Sequence, residues 1–331
     1  MTAQNALPWH AQQWQRLVAA RDAGRLPHAL LLAGRAGLGK GYFARRLAAS
    51  LLCTQRAADG DACGQCQSCH LVRAGSHPDL IRVEPESEGK MIRIDAIRQL
   101  SDKSMLAAQE ASFRVIVIEP ADAMNRAAAN ALLKTLEEPA SRTVLVLVSS
   151  QADRLMPTIR SRCQLVRFAV PPREQVMQWV EGVTEGADPE ALYAISGGAP
   201  LTLLRAAEEQ WLDTDQALIE ELSQLKQRQS NPLVVVEKWE KRPIQRMLDG
   251  LKRCLSDLVK VGQGLPGDGL YHPALHGHLQ TLAQGIDLSK VFRFLDDIMV
   301  VERGLTSNLN EQMILEGLAA QWLEMTRPGG R

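Results

Sequence analysis

The chain has no net charge. Its 38 lysines and arginines balance 38 aspartates and glutamates, so no global field draws it to nucleic acid or lipid, and any such contact must come from a local patch. Aromatic residues are scarce, 4% of a chain that is 45% hydrophobic, which points to a core of Leu, Ala and Val in an α/β or helical protein. No run approaches the roughly 20 apolar residues of a membrane span. The opening stretch Met1-Thr-Ala-Gln-Asn-Ala-Leu-Pro-Trp9 lacks a charged n-region and an apolar h-region, so no export signal is read and a cytoplasmic protein without membrane attachment is expected. Thiols stay reduced in that compartment, and clustered cysteines are then expected to hold metal rather than form disulfides. Internal repeats and low-complexity tails are also missing.

What is present alternates in type along 331 residues, room for two or three domains at about 100–200 residues each. Residues 11–23 carry Trp14, Leu17, Val18 and Arg21 at helical spacing. His28–Ala33 is a short apolar run between Pro27 and Gly34, as expected of a buried strand. A Gly-rich loop and a helix from about Lys40 to Leu52 follow. Further short apolar runs at Leu80–Val83, Val115–Ile118, Val144–Val148 and Leu165–Phe168 are separated by helical patterns at Ala96–Met105, Asn125–Leu136 and near Arg154–Ile159. Strands alternating with helices, apolar on both faces, predict a parallel sheet covered on both sides. Pro171-Pro172 closes this α/β domain, expected over 1–170. A small helical segment follows over 171–209, with Asp188 and Pro189 opening its second helix. From Trp211 the pattern is helical only, giving an all-α domain over 210–331.

The loop Gly34-Arg-Ala-Gly37-Leu-Gly39-Lys40-Gly41 has the outline of G-x-x-x-x-G-K-[ST]. In that motif backbone N–H groups cradle phosphates, the Lys reaches the β- and γ-phosphates, and the hydroxyl binds Mg²⁺. Gly34, Gly37, Gly39 and Lys40 keep the first two tasks open; Gly41 has no oxygen for a metal. The plainer reading is a strand-to-helix turn. Downstream, Ile118 is followed by Glu119-Pro120-Ala121-Asp122, where related ATPases place an Asp for the metal and a Glu for the attacking water. Glu119 is a partial substitute for the first, Pro120 cannot be a base, and general-base catalysis supplies about 10²–10⁴-fold. Glu119 and Asp122 also read as ordinary solvated acids.

Cys53 and the run Cys63-x-x-Cys66-x-x-Cys69 place four thiols within 17 residues. That set suits a closed structural Zn²⁺ site without a catalytic position; an iron–sulfur cluster is the alternative. His70 and His77 lie nearby, but four cysteines already complete the ligand set. Cys163 and Cys254 stand apart and read as small hydrophobes. A zinc-dependent DNA-binding module would need a basic surround, and residues 53–73 offer only Arg56 and Arg73 against Asp59 and Asp61.

Three further strings, Arg25-Leu-Pro-His-Ala29, Asn130-Ala-Leu-Leu-Lys-Thr-Leu-Glu-Glu-Pro139 and Ser161-Arg162-Cys163, together with the cysteine spacing, resemble bacterial DNA polymerase III clamp-loader subunits of the AAA+ class. The resemblance covers residues 25–168. It implies an AAA+ α/β domain with a zinc insertion at about 53–69, a helical lid and a helical collar. It further implies a place in a heteropentamer with motor ATPase subunits and a delta subunit, acting on a sliding clamp and primer-template DNA. Gly41, Glu119-Pro120 and Ser196-Gly-Gly-Ala-Pro200, which has no Arg to sense a γ-phosphate, depart from the motor pattern. The resemblance therefore implies a stator-like subunit that does not hydrolyse ATP. Within it, Arg162, supported by Ser161 and Cys163, is the expected arginine finger, projecting into a neighbour's nucleotide site; on its own residues it reads as a surface ion-pair or helix-end arginine. Lys134, Glu137 and Glu138 are expected on a solvated face. The competing expectation is an active AAA+ ATPase with an atypical Mg²⁺ site.

Overall fold

A computed structural model describes residues 6–87, 90–104, 113–181, 188–305 and 310–327. The expected helix end at Met105 and the first five residues of the opening stretch lie outside them. The chain divides into two compact units, Met1–Pro171 and Pro172–Arg331, described separately.

In the first unit β1 (Ala29–Ala33), β2 (Leu80–Val83), β3 (Arg114–Ile118), β4 (Thr143–Ser149) and β5 (Gln164–Arg167) form one sheet in the order β2-β3-β4-β1-β5, and every pairing is parallel. This is the expected AAA+-like α/β sheet. The three central strands are buried along almost their whole length, as a sheet covered on both faces requires. The edge strands depart from that expectation: Arg82 in β2 and Gln164, Leu165 and Arg167 in β5 are exposed.

Alternation along the strands sorts the apolar residues between two layers. Leu31, Ile116, Ile118, Leu145 and Leu147 pack with residues of α4 (Ile94–Ser104), α5 (Arg126–Glu137) and α6 (Pro157–Arg160). On the other side α2 (Lys40–Leu52), with Phe43, Leu47 and Leu51 buried, packs on β1, β3 and β4, and α1 (Ala11–Asp22) buries Trp14 and Leu17. A short helix α3 (Gln67–Ala74), whose first N–H groups are capped by the Cys66 sulfur accepting from Cys69 N, has no apolar periodicity to announce it. The helix expected near Arg154–Ile159 is two pieces, a 3-10 turn Ala152–Arg154 and α6, because Pro157 starts a new helix at N1.

The second unit is helical throughout. α7 (Arg173–Val180), α8 (Pro189–Ser196, capped by Asp188 as expected) and α9 (Pro200–Glu208) enclose a small core of Val176, Val180, Leu192, Ile195 and Leu203 with Trp211. α10 (Trp211–Lys226), α11 (Pro232–Trp239), α12 (Ile244–Gly262), α13 (His276–Ala283), α14 (Leu288–Gly304) and α15 (Glu311–Met325) surround a larger core that includes Trp239, Phe294 and Trp322.

Between these helices lies a buried ionic network. Asp215 on α10 accepts from Arg246 Nη2 at 2.7 Å, Arg253 Nε at 2.7 Å and His272 Nε2 at 3.1 Å; His272 Nδ1 reaches Asp257 on α12 at 2.8 Å. Lys260 stands 3.9 Å from Asp257. Carboxylates accept only, so both imidazole nitrogens carry protons and His272 is an imidazolium. Burial opposes its charge, but the hydrogen bonds to Asp215 and Asp257 outweigh burial and raise its pKa. A raised pKa contributes stability that is complete below the ordinary value of about 6.5 and is lost as pH rises through the folded value. Urea unfolding of His272→Asn at pH 6 is expected to show about 3–5 kcal/mol of destabilisation, typical of a broken buried ion pair. That gap from the unsubstituted chain should narrow as pH rises toward 9; a widening gap would contradict the assignment.

Candidate functional site

The loop between β1 and α2 adopts the shape its glycines allow. Gly37 and Gly39 have φ of 77° and 82°, in the left-handed region open to glycine at no steric penalty. Gly39 is also crowded, since a Cβ there would lie 2.3 Å from Leu7 Cδ1. Gly34 ends the strand against the Phe168 backbone.

From outside, the loop is held by the residues before α1. Trp9 Nε1 and His10 Nε2 both donate to the Leu38 carbonyl, at 2.9 and 2.8 Å. His10 is buried, and burial lowers its pKa to about 4, with Arg46 adding to the effect, so it stays a neutral donor. Three rings pack here: His10, Phe43 and Phe168 meet edge to face with centroids 5.1–5.4 Å apart.

Lys40 is turned inward. It is 4% exposed and donates to the Arg35 carbonyl at 2.7 Å and to Ser150 Oγ at 3.1 Å. Burial lowers its pKa to about 8 against the attraction of Asp122 and Glu119. Beside it, a Cβ at Gly41 would lie 2.0 Å from Glu119 Oε1. The carboxylate therefore stands where a loop hydroxyl would begin. Arg45 Nη1 pairs with Glu119 Oε2 at 3.3 Å, and Asp122 Oδ1 accepts from Ser150 N at 3.1 Å. Burial raises the Glu119 pKa, with Arg45 acting against it. These residues do not fit a Mg²⁺ site: the hydroxyl ligand is missing and both acids are engaged by the protein. An open cleft of about 740 Å³ runs past Gly34, Arg160, Ser161 and Phe168, but Lys40 is not among its lining residues.

The second element is the turn after α6. Ile159 and Cys163 pack against the sheet core, and burial pushes the Cys163 thiol up to about 11. Anchoring on either side leaves Arg160, Ser161 and Arg162 exposed. Arg162 Nη1 donates to the Thr158 carbonyl at 3.0 Å, and Ser161 Oγ donates to the same oxygen at 3.2 Å. Arg162 Nη2 lies 2.6 Å from Glu137 Oε1. Glu137 is exposed, as are Lys134 and Glu138, and it also pairs with Arg162 across 25 residues, which no local spacing signals.

The third element is the cysteine cluster. All four Sγ atoms, of Cys53, Cys63, Cys66 and Cys69, lie within 4.8 Å of one another. Cys53–Cys66 and Cys63–Cys69 are 3.9 Å apart, close to the edge of about 3.8 Å implied by tetrahedral Zn–S bonds of about 2.3 Å. Backbone N–H groups of Gln55, Cys63, Gln65, Cys66 and Cys69 point at the sulfurs at 3.3–3.5 Å, the second shell that steadies thiolates. The four residues could hold a metal ion. His77 is not in the set; its Nε2 meets Ser68 Oγ at 2.9 Å and its Nδ1 accepts from Asp79 N.

The turn Asp59–Asp61 fastens this module to the helices under the loop. Arg46 on α2 holds Asp61 with two bonds of 2.7 and 2.6 Å and lies 3.8 Å over the Trp14 ring. Arg21 Nη1 and Ser50 Oγ both donate to the Gly60 carbonyl. α9 opens with Pro200-Leu-Thr-Leu and carries no arginine in its first turn. No helix among the described residues is long and apolar enough to cross a membrane.

A family described as DNA polymerase III, delta subunit, matches residues 9–172, and one described as its C-terminal part matches residues 208–324. The chain is 35% identical to DNA polymerase III subunit delta' of Pseudomonas aeruginosa, over 97% of this chain and 98% of that protein. It is 29% identical to the same subunit of Escherichia coli K12, over 97% and 96%. Among solved structures, a gamma subunit-related protein of Thermotoga maritima is 20% identical, covering 96% of this chain and 100% of that one at a TM-score of 0.45. With nearly full-length relatives on one side and the loop, cysteine set and Ser-Arg-Cys turn on the other, the chain belongs to the delta' family of DNA polymerase III clamp-loader subunits, which serve DNA replication.

Proposed function

We propose that this delta' homologue is the stator-like subunit of its clamp loader. It does not hydrolyse ATP itself, and it presents Arg162 in trans to the nucleotide of an adjacent motor subunit. The observation that carries this reading is the Glu119 carboxylate beside Gly41, where a metal-binding hydroxyl would have to stand. A loop whose lysine is tied to Arg35 and Ser150 and whose metal corner is filled by an acid has no working γ-phosphate site. Arg162, by contrast, is at the surface with both partners from its own chain. A guanidinium delivered across an interface offsets charge growing on the γ-phosphate.

On this reading the partners are motor ATPase subunits and delta in a heteropentamer, with the sliding clamp and primer-template DNA reached through the complex in the cytoplasm. The segments 1–170, 171–209 and 210–331 act as AAA+ domain, lid and collar. The cysteine cluster holds one structural Zn²⁺, with no open coordination position for catalysis.

The rival, an active ATPase with Glu119 on the metal, is separated by titrating the isolated chain with Mg-ATP and measuring turnover. The proposed reading predicts no hydrolysis; turnover abolished by Lys40→Ala would sustain the rival. Restoring the hydroxyl supplies a second check. Gly41→Ser is expected to push the flexible Glu119 carboxylate aside at a cost of only about 0.5–1.5 kcal/mol, seen in thermal unfolding, and to create no Mg-ATP binding in calorimetry. A gain of Mg²⁺-dependent binding would show that the corner is not closed.

A further inference from the structure

We propose that Glu137 is a positioning residue that parks Arg162, restraining the finger until a neighbour's phosphate displaces it. The inference rests on the reading of Arg162 as a finger in trans and adds a regulator to that site. Arg162 is held from two directions by different kinds of partner. Nη1 is bonded to the Thr158 carbonyl one turn back in the chain, a neutral acceptor that holds one end of the guanidinium and leaves its charge intact. Nη2 faces the Glu137 carboxylate at 2.6 Å, and this partner cancels the charge the finger exists to deliver.

The two partners cannot both survive delivery. A γ-phosphate seeks the Nη2 side of the guanidinium that the Glu137 carboxylate now faces, since carboxylate and phosphate are competing anions for one cation. The Thr158 bond is compatible with phosphate binding; the Glu137 pair is not.

Burial sets the strength of the restraint. The side chains of Arg162 and Glu137 are 36% and 50% exposed, so the pair is a surface ion pair, screened by salt and weak enough to exchange. Exposed pairs of this kind shift an equilibrium by up to about fivefold. Glu137 is also the last residue of α5. A carboxylate there opposes the helix dipole, so its position is unfavourable for α5 alone and is offset by Arg162. Neutralising it should leave the fold intact.

The test compares the reconstituted clamp loader carrying the unsubstituted chain, Glu137→Gln, Arg162→Ala or both, by ATP turnover without DNA, with a salt series. Glu137→Gln is expected to raise unstimulated kcat about two- to fivefold, to flatten its dependence on salt, and to leave the melting temperature of the chain unchanged. In the Arg162→Ala background it should do nothing, because a parking residue acts only through the finger. Glu137→Gln that lowers or leaves unchanged the unstimulated rate, or that changes it equally without Arg162, overturns the parking role while the finger stands. Turnover unaffected by Arg162→Ala overturns the finger and the parking role together.

Discussion

Replacing Arg162 with alanine is expected, on the proposed finger role, to slow hydrolysis at one neighbouring nucleotide site by about 10³–10⁵-fold. The total turnover of the loader should then fall by that site's share, while the subunit still assembles. The size follows from where the charge acts. In phosphoryl transfer the transition state spreads charge over the γ-phosphate oxygens, and a preorganised cation at a dry interface stabilises it far more than one in water. The structure separates this role from folding. Arg162 is exposed and its contacts are the Thr158 carbonyl and Glu137, whereas the turn is anchored by Ile159 and Cys163. Alanine at 162 removes the charge and leaves both anchors. A pre-steady-state measurement that resolves individual sites shows whether the loss is confined to one of them.

The second large effect is expected from the metal. If the cluster holds the proposed Zn²⁺, substituting Cys66 or Cys69 with serine, or stripping the ion with a chelator and a thiol reagent, should release one metal ion per chain and destabilise the first unit by more than about 4 kcal/mol. Loss of a structural metal belongs to the small group of changes that large. The reason lies in what the module fastens. Cys66 caps α3, Ser68 donates to the Leu52 carbonyl at the end of α2, and Asp61 and Gly60 hold Arg46, Arg21 and Ser50. Without the ion, four thiols and their inward N–H groups lose the centre that organises them. α2 carries the loop at its other end, so loosening should spread to Leu38 and His10. Metal analysis together with thermal unfolding checks both parts; an unchanged melting temperature after complete metal loss would contradict the staple role.

The central strands and the loop were legible because their signals are local. β1, β3 and β4 are buried on both faces and so read as unbroken apolar runs, and Gly37, Gly39 and Lys40 sit at fixed spacing. The edge strands were less legible, since β5 is short and largely exposed and half of its pattern answers to solvent. The cysteine quartet could be found from spacing alone, but not that its Asp59–Asp61 turn grips α1 and α2, which depends on Arg21 and Arg46 arriving from other elements. The seal over the loop was hidden for the same reason: Trp9 and His10 meet a carbonyl 28–29 residues away. Gly41 was visible as a missing hydroxyl, yet only the structure places Glu119 against it. The network around His272 joins residues up to 57 apart, and without periodicity or motif nothing in the chain announces it.

The central claim is that this subunit gives an arginine to a neighbouring ATPase subunit and hydrolyses no nucleotide of its own. It is tested most directly by comparing Lys40→Ala and Arg162→Ala in the same reconstituted loader, measuring ATP turnover with clamp and primed DNA present. The account predicts full turnover with Lys40→Ala and, with Arg162→Ala, a fall by the share of the one site that the arginine faces. The opposite pattern, a loss with Lys40→Ala and none with Arg162→Ala, would contradict it.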